Sequence, residues 1–487
     1  MKIIILDPYK KSNSKINKDQ AGGYGTSNEF GDNFFNLILS YFVKKLIQYP
    51  PLYVAYSISV LKKKGYDVTY ENDVDLVNNV DLCLVTSSIV CHETELEVLK
   101  KLKKREIYTG VIGSFCTAVP DLYIKESDFV ISGEPEFFLL KEDINILIKE
   151  KKRGVLKSVL DKNLDKLPFP AWEVFFSSGG PKAFFINKFG KTIPIIASRG
   201  CPYSCFNYCT YPTQQGRVVR RRSVKNIILE IKLWKEKYDI NSFLFRDPVF
   251  SINNSQTEQL CSELIKEDLK IKFGIETHLN NLNIQIAKKL YSVGLKYIEV
   301  GIESSSDEVL KDCKRFSVKK EREIDLIKTI EKIGLKVKTM FIYGLPLDNY
   351  KSCLDTLNFS KQINATYSQF SIFTPYPGTP IYDTEYKNKI LTKKFEDVRV
   401  KVSNFISSKS YENIIFTKSA TEGINLVVEK FSEKYLSEGH FGEGSMEPKI
   451  KSAIYFLEHY GKKVVLTSLN KLEDALKGNS GTTITKD

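Results

Sequence analysis

Short apolar runs alternate with helical patterns along the chain as far as about Asp383, and this alternation restricts the fold more than any other feature. A regular succession of strand and helix predicts parallel sheets covered by helices. In the first part, helical patterns at Leu52 to Lys64 and Glu93 to Lys104 separate strand-like runs at Lys2 to Leu6, Asp67 to Tyr70, Leu82 to Thr86, Gly110 to Gly113 and Phe129 to Ser132. Further runs occur at Ile193 to Ala197, Ser242 to Phe245, Lys272 to Glu276, Tyr297 to Gly301, Lys336 to Ile342 and Tyr367 to Phe373. The sequence therefore predicts an α/β protein with a doubly wound, Rossmann-like sheet followed by an open, partial (β/α)6 TIM-like barrel.

Three cysteines, Cys201, Cys205 and Cys209, lie on the loop between the first predicted barrel strand and the next helix. Loops of this kind carry the active sites of parallel β/α barrels. Three closely spaced thiolates are what an iron-sulfur cluster needs when one iron stays open to a substrate or cofactor. The alternative is a structural zinc site, but zinc would take a fourth ligand, and no histidine or further cysteine lies nearby in the sequence. The rest of the nine cysteines are scattered, which is typical of buried thiols in a reducing compartment.

The segment from Ser198 to Cys209, SRGCPYSCFNYC, resembles the signature of the radical S-adenosylmethionine (SAM) enzymes. That family usually separates its cysteines by three residues and then two, whereas this chain has three and three. We interpret the difference as a one-residue insertion at Phe206 or Asn207. The resemblance implies that the three cysteines are the metal ligands of a [4Fe-4S] cluster. The open iron would chelate SAM, and electron transfer would release a 5′-deoxyadenosyl radical that abstracts hydrogen from an unreactive carbon.

Later strand ends also resemble motifs of this family. They lie at Phe245 to Phe250, Gly301 to Ser304, Phe341 to Pro346 and Phe373 to Pro380. By this resemblance, Glu303 accepts hydrogen bonds from the SAM ribose and Tyr208 packs near the adenine. Glu276, at the corresponding end of the third strand, is a further cofactor-binding candidate. The alternative for both carboxylates is a solvated position on a loop, and the sequence does not indicate which residues act on the substrate.

The first unit places Gly113, Gly133 and Glu134 after strand-like runs, at the edge where doubly wound sheets bind ligands. Because it directly precedes the radical SAM signature, this unit resembles the cobalamin-binding domain found in many such enzymes, and the three residues are candidate cofactor contacts. The unit has no Asp-x-His-x-x-Gly motif, and its one histidine, His92, begins a predicted helix. We therefore expect cobalamin to bind without a protein histidine on cobalt. The resemblance implies methyl transfer to, or rearrangement of, an unactivated carbon.

The last part of the chain resembles pieces of two other families. Asn413 to Leu426 is similar to the phosphate-cradling segment of pyridoxal-phosphate enzymes of the cysteine desulfurase type, and the stretch from about Glu433 is similar to the carboxyl end of carbamate kinase. Lys449 matches a phosphate-facing lysine of that kinase, but the other half of the kinase site is absent, so no kinase activity is expected. A tail of fragments lacks partners for its apolar faces. We therefore expect a small, loosely held α/β appendage.

These observations divide the chain into five segments. We assign residues 1–145 to the cobalamin-binding-type domain, 146–190 to a linker, 191–395 to the radical SAM barrel, 396–432 to a connector with the desulfurase-like segment, and 433–487 to the kinase-like fragment.

Composition bears on partners and location. The 487 residues contain no apolar run long enough to cross a bilayer and show no signal peptide, so we expect a cytoplasmic enzyme without a membrane span. The expected partners are a small-molecule or lipid substrate and a one-electron reductant such as flavodoxin or ferredoxin, and not a nucleic acid. Two alternatives stay open. One is RNA modification of the tRNA methylthiotransferase kind, which the net charge of +13 permits, and the other is a degenerate, non-catalytic chimeric protein.

Overall fold

The computed structural model describes residues 1–11, 15–18, 23–28, 41, 43–188, 190–386, 463–466 and 482–485. Two six-stranded parallel sheets organise this part of the chain, as the alternation of strands and helices predicts. Numbered in chain order, their strands are β1 (Lys2–Leu6), β2 (Asp67–Glu71), β3 (Leu82–Thr86), β4 (Thr109–Ile112), β5 (Phe129–Ser132), β6 (Gly154–Lys157), β7 (Ile193–Ile195), β8 (Ser242–Phe245), β9 (Lys272–Thr277), β10 (Leu295–Glu303), β11 (Lys336–Tyr343) and β12 (Tyr367–Ile372).

The first sheet has the strand order β2-β1-β3-β4-β5-β6. Its central strands β1, β3, β4 and β5 are buried on both faces because helices cover both sides, as is usual for parallel sheets. Ile3 and Ile5 pack into one core, whereas Ile4 and Leu6 face a second core on the other side. The strand order reverses beside β1, and doubly wound sheets bind ligands at such a point, outside the carboxyl ends of the strands. The predicted Rossmann-like architecture is confirmed.

The first sheet extends beyond the predicted domain boundary at residue 145. Strand β6 pairs in parallel with β5, although it lies in the range that the sequence analysis assigned to a linker. Its side chains alternate between half-buried and exposed, so no continuous apolar run marks it in the sequence. The rest of 146–190 is packed as well, since Trp172 is fully buried in the main core. This segment is therefore part of the folded body and not a plain linker.

The second sheet follows chain order, β7-β8-β9-β10-β11-β12, with every neighbouring pair parallel. Helices follow the strands, which gives the predicted partial β/α barrel. The α-helices of the described chain are Leu52–Lys63, His92–Lys104, Ser114–Ala118, Pro120–Ile124, Pro135–Lys141, Ile144–Lys149, Tyr211–Gln215, Val224–Tyr238, Asn254–Lys266, Ile284–Ser292, Asp307–Asp312, Lys320–Lys332 and Tyr350–Ile363. Short 3₁₀ turns occur at Val74–Leu76, Leu164–Lys166, Trp172–Phe175, Ser204–Asn207, Phe250–Ile252 and Leu279–Asn281, and a π-type turn occurs at Tyr382–Tyr386.

Short antiparallel ribbons complete the described structure. They pair Lys15–Asn17 with Thr26–Asn28, Ile47–Gln48 with Lys182–Ala183, Ser198–Arg199 with Arg220–Arg221, and Lys463–Leu466 with Thr482–Thr485. The last ribbon is the described part of the predicted appendage. Asn413 to Leu426 and Lys449 lie outside the described residues. Among the helices that the structure describes, none has the length and apolar character that crossing a membrane requires.

The two sheets meet at the carboxyl ends of their strands. Gln214, which follows the three-cysteine loop after β7, donates from Nε2 to the carbonyl of Gly133 after β5 at 3.3 Å. The Tyr24 hydroxyl donates to the carbonyl of Pro377 after β12 at 2.7 Å. One continuous buried core also joins the two units, with Phe137 on one side and Trp234 on the other. The ligand-binding edge of the first sheet therefore adjoins the mouth of the barrel.

Candidate active site at the three-cysteine loop

Asp247, at the carboxyl end of β8, fixes the base of the three-cysteine loop. Its carboxylate oxygens accept the backbone N–H of Ala197 at 3.0 and 3.1 Å and the hydroxyl of Ser198 at 2.7 Å. The backbone N–H of Ser198 donates to the same carboxylate. Burial raises the pKa of Asp247 to about 6, although these donors oppose the rise. A buried carboxylate that follows the neighbouring strand therefore holds the chain, through hydrogen bonds, where the chain leaves β7.

Gly200 allows the loop to turn directly before its first cysteine. Its φ of +85° lies in the left-handed region, and a Cβ atom there would lie 2.2 Å from the carbonyl oxygen of Val218. The N–H of Gly200 donates to Oε1 of Gln215 at 3.1 Å, and the N–H of Cys201 donates to the carbonyl of Gly216 at 3.3 Å. Only glycine satisfies both the backbone angle and the close approach.

The wider cysteine spacing is accommodated by a helical turn. Residues Ser204–Asn207 form a 3₁₀ turn, and the N–H of Cys209 donates to the carbonyl of Cys205 at 3.1 Å. The extra residue relative to the family pattern therefore lies in a turn that brings the backbone of Cys209 back to that of Cys205.

The thiols are enclosed by protein. Cys201 and Cys205 are buried and Cys209 is half-buried. Burial raises the pKa of all three thiols, that of Cys201 to about 11, because a buried thiolate lacks solvation. Bound iron would supply the missing positive charge, and metal coordination deprotonates thiols for this reason. Within the described chain, no three His, Cys, Asp or Glu side chains form a group that could hold a metal ion.

Glu303 and Arg315 face the loop from the end of β10. Glu303 has a φ of +69°, and the pairing of β10 with β11 shifts register between Gly301 and Glu303. Arg315 lies 3.5 Å from Oε1 of Glu303, and its Nη1 lies 3.8 Å from Sγ of Cys205. It also donates to the carbonyl of Gly301. Burial raises the pKa of Glu303, and the guanidinium opposes this rise.

Tyr208 completes this group. Its ring is buried against Phe373, with centroids 6.4 Å apart, and its hydroxyl is buried without a hydrogen-bond partner in the described chain. Burial raises the pKa of Tyr208 well above its usual range, and the charge of Glu303 adds to the rise. An unsatisfied buried hydroxyl is costly, so such a group indicates a missing partner.

Glu276 belongs to a second polar group inside the barrel. The Tyr211 hydroxyl lies 3.4 and 3.5 Å from its carboxylate oxygens. Burial raises the pKa of Glu276 to about 7; Glu299 adds to this rise, while Arg246 and Lys338 oppose it. Glu276 is also near enough to Cys201 to disfavour ionisation of that thiol. Glu276 and Glu303 both lie within strands and are half-buried, so the alternative of a solvated position on a loop describes neither of them.

The predicted contacts of the first unit lie together at the carboxyl edge of its sheet. Gly113 and Gly133 have φ values of +126° and +103°. A Cβ atom on Gly113 would lie 2.7 Å from Oγ of Ser87. The carboxylate of Glu134 is occupied by arginines of the barrel unit, so a cofactor at this edge would meet the backbone of Glu134 and not its carboxylate. His92 bonds through Nδ1 to the carbonyl of Ile89 at 2.8 Å.

Sequence reasoning missed Arg315 and the buried arginines after the loop. Arg315 stands alone in a polar stretch, and its role depends on the path of the chain after β10. Arg220 and Arg222 follow the three-cysteine loop in the sequence. Both side chains are buried in ion pairs with Glu134 and Glu230. The pairing of Arg220 with Glu134 has no local sequence signal, because the two residues are 86 positions apart.

Comparison with known proteins agrees with this site. Residues 195–360 match the family model of the radical SAM superfamily. The three-cysteine loop and strands β8 to β11 lie within the matched range, so this part of the chain is similar to the radical SAM superfamily. It is 26% identical over 379 residues to an uncharacterized methyltransferase of Pyrococcus horikoshii, covering 70% of this chain and 80% of the relative. It is 25% identical over 342 residues to bacteriochlorophyllide d C-12(1)-methyltransferase of Chlorobaculum tepidum, covering 68% of this chain and 73% of the relative.

Two solved structures share the arrangement of both sheets. The radical SAM methyltransferase TsrM of Kitasatospora setae, with cobalamin and a [4Fe-4S] cluster bound, superposes with a TM-score of 0.57 at 14% identity, over 80% of this chain and 75% of that chain. The cobalamin-dependent radical SAM enzyme OxsB, with aqua-cobalamin and SAM bound, gives 0.56 at 15% identity, over 81% of this chain and 56% of that one. At this identity the likeness shows the fold.

A second family model, aminotransferase class V, matches residues 364–449. This range includes Asn413 to Leu426, where the sequence resembles a pyridoxal-phosphate enzyme. It begins, however, within the barrel, because β12 lies inside it and pairs with β11. The matched residues after 386 lie outside the described chain.

Proposed function

We propose that this enzyme is a cobalamin-dependent radical SAM methyltransferase that transfers a methyl group to an unactivated carbon of a small or lipid-like metabolite. The observation that carries the proposal is the meeting of two carboxyl edges. The turn at Gly133, where the first sheet would hold a corrinoid, contacts Gln214, which follows the three-cysteine loop of the barrel. Cofactors held at the two edges would therefore be neighbours.

The three thiols at the barrel mouth are the donor type that an iron-sulfur cluster needs, although among the described residues they are not gathered into a group that could hold a metal ion. Cys201, Cys205 and Cys209 would hold the cluster, and no fourth protein ligand is needed because SAM completes the coordination. Glu303 would accept the ribose hydroxyls, and Arg315 would stabilise negative charge on the nearby thiolates. The unpartnered hydroxyl of Tyr208 would find its partner in the adenine.

At the first sheet, the fit to a corrinoid depends on backbone. The turns at Gly113 and Gly133 would hold it, since both lie at strand ends in conformations that favour glycine. When bound, the cluster with SAM supplies a 5′-deoxyadenosyl radical and methylcobalamin supplies the methyl group. The chain's own part is to orient these groups and to exclude water at the closed interface between the two units.

The proposal includes a one-electron reductant such as flavodoxin or ferredoxin and a cytoplasmic location. The related proteins named methyltransferases favour methyl transfer over the rearrangement that the sequence left open. Methylthio transfer to RNA is the competing function. Identification of the reaction product would distinguish it from methyl transfer to a small molecule.

The decisive experiment is anaerobic reconstitution with iron and sulfide, followed by an iron count and by measurement of 5′-deoxyadenosine formed from SAM under reductant. We expect about four irons per chain and SAM cleavage, both lost in Cys209→Ala. Cys353→Ala is the matched control, since Cys353 is a half-buried cysteine remote from the loop in sequence. Titration with hydroxocobalamin then tests the corrinoid site. A reconstituted chain that binds no cluster, or one indifferent to Cys209, would contradict the proposal.

A further inference from the structure

The turn after β5 carries two buried carboxylates that reach the barrel unit. Glu134 accepts from Nη2 of Arg220 at 2.6 Å and from Nη1 at 2.9 Å, which is a bidentate pair. Its Oε1 also lies 3.1 Å from Nη1 of Arg199. Glu136 forms a further ion pair with Arg199. Each of these four side chains is no more than 4% exposed, so the cluster is sealed from solvent.

Both arginines belong to the base of the three-cysteine loop. Arg199 lies two residues before Cys201 and pairs with Arg220 across the short ribbon Ser198–Arg199 and Arg220–Arg221. Arg220 also donates to the carbonyl of Gln215 at 2.9 Å, and the side chain of Gln215 accepts the N–H of Gly200. A single buried carboxylate of the first unit thus contacts both sides of the ribbon from which the loop leaves.

The charges explain why this contact is specific. Two arginines face two glutamates, so neither pair leaves an uncompensated buried charge. Both arginines hold the pKa of Glu134 below its usual range against the effect of burial. A buried ion pair contributes modestly to net stability but fixes geometry, because loss of one partner leaves the other charged and desolvated. The bidentate fork of Arg220 adds a directional restraint that a lysine could not supply.

We propose that Glu134 is a positioning residue that holds the three-cysteine loop in place from the first unit. The role belongs to the chain itself and applies with or without a bound corrinoid, so it goes beyond the proposed function. The two units also share one continuous buried apolar core, so the interface that Glu134 crosses is packed.

The barrel contains a second buried ion pair, which does not cross the interface between the two units and serves as a control for the pair of Glu134 and Arg220. Arg222 forms an ion pair with Glu230, and their side chains are 3% and 0% exposed. Both residues lie in the barrel unit, after the loop. Arg222 also donates from Nη1 to the carbonyl of Ile196, before the loop, at 3.0 Å, and this donor remains in Glu230→Gln. Glu134→Gln and Glu230→Gln therefore each remove one buried carboxylate opposite an arginine, but only the first does so across the interface.

The test measures thiol accessibility in the full chain before cluster assembly. Wild type, Glu134→Gln and Glu230→Gln are treated with iodoacetamide under anaerobic conditions, and the alkylation of each cysteine is followed by peptide mass spectrometry. We expect alkylation of Cys201 to accelerate about tenfold in Glu134→Gln, because local opening becomes easier. Cys261, buried in the barrel core, should keep its wild-type rate in this variant, as should Cys201 in Glu230→Gln.

Equal rates at Cys201 in wild type and Glu134→Gln, or equal acceleration in both variants, would overturn the proposal. If Glu134→Gln does not fold, Arg220→Lys retains the charge, loses the fork, and is measured in the same way. After reconstitution, a changed electron paramagnetic resonance spectrum of the reduced cluster with SAM in Glu134→Gln, and not in Glu230→Gln, is the second expected result. Absence of SAM cleavage in wild type would contradict the proposed function and leave the alkylation result unaffected.

Discussion

Nη2 of Arg315 lies 3.5 Å from Oε1 of Glu303, so the cation that reaches the three-cysteine loop also neutralises the carboxylate expected to bind the SAM ribose. The two side chains are 11% and 12% exposed, and the other guanidinium nitrogen approaches Sγ of Cys205. One arginine therefore links the end of β10 to the three-cysteine loop.

Arg315→Met should damage both stability and SAM cleavage. Removing the cation leaves Glu303 buried and unpaired, which we expect to lower the free energy of unfolding by about 3 kcal/mol. Formation of 5′-deoxyadenosine should fall at least about tenfold, corresponding to about 1.4 kcal/mol of lost transition-state stabilisation. Urea unfolding and a single-turnover assay check the two effects. Arg322→Met is the control, because Arg322 bonds to Oδ1 of Asn280 at the surface. Equal effects of the two substitutions would contradict the assigned role.

Two glycines with nearly the same backbone angle allow the cost of backbone strain to be measured apart from the cost of steric crowding. Gly200 and Gly65 have φ values of +85° and +86°, but a Cβ atom on Gly65 would meet nothing within 4 Å. We expect Gly65→Ala to cost about 1 kcal/mol, from the left-handed conformation alone. Gly200→Ala should cost about 3 kcal/mol or more because it also drives Cβ into the backbone. Iron bound after reconstitution should fall in Gly200→Ala and stay at the wild-type level in Gly65→Ala. Retention of iron in both variants would show that this turn does not shape the cluster site.

All the barrel strands and most of the first sheet could be predicted from the sequence, because buried parallel strands appear as short apolar runs. Strand β6 could not, since half of its side chains are exposed at the sheet edge. The residues of the candidate site also fall into those that the sequence predicts and those that it does not. The cysteines, Tyr208 and Glu303 lie in local motifs, whereas Arg315 and the arginine partners of Glu134 act through contacts between distant segments. Such contacts depend on the packing of the two units, which periodicity does not encode.

Tyr208→Phe should weaken the binding of SAM without lowering the stability of the fold. The hydroxyl is buried without a partner in the described chain, so its removal breaks no hydrogen bond there. We expect the free energy of unfolding to stay within about 1 kcal/mol of wild type, on the stabilising side. Affinity for SAM should weaken by up to about tenfold if the hydroxyl bonds the adenine. Equilibrium binding of SAM to the reconstituted enzyme measures the second effect. Unchanged affinity would place the adenine elsewhere.

Glu276 should make stability depend on pH in a window near neutrality. Its pKa is raised from its ordinary value of 4.5 to about 7, chiefly by burial. Between these two values the folded protein binds more protons than the unfolded chain, so the stabilisation is complete below about pH 4.5 and is lost as the pH rises through 7. The loss should amount to about 2 kcal/mol, because solvent partly screens the side chain.

Urea unfolding at intervals from pH 5 to pH 8 should therefore show a steeper decline for wild type than for Glu276→Gln, which cannot titrate at this position. Comparing the two proteins cancels Asp247 and Glu323, whose pKa values are raised to about 6 and about 8 and which titrate in both. Parallel curves would mean that Glu276 is ionised throughout this range and that Arg246 and Lys338 outweigh its burial.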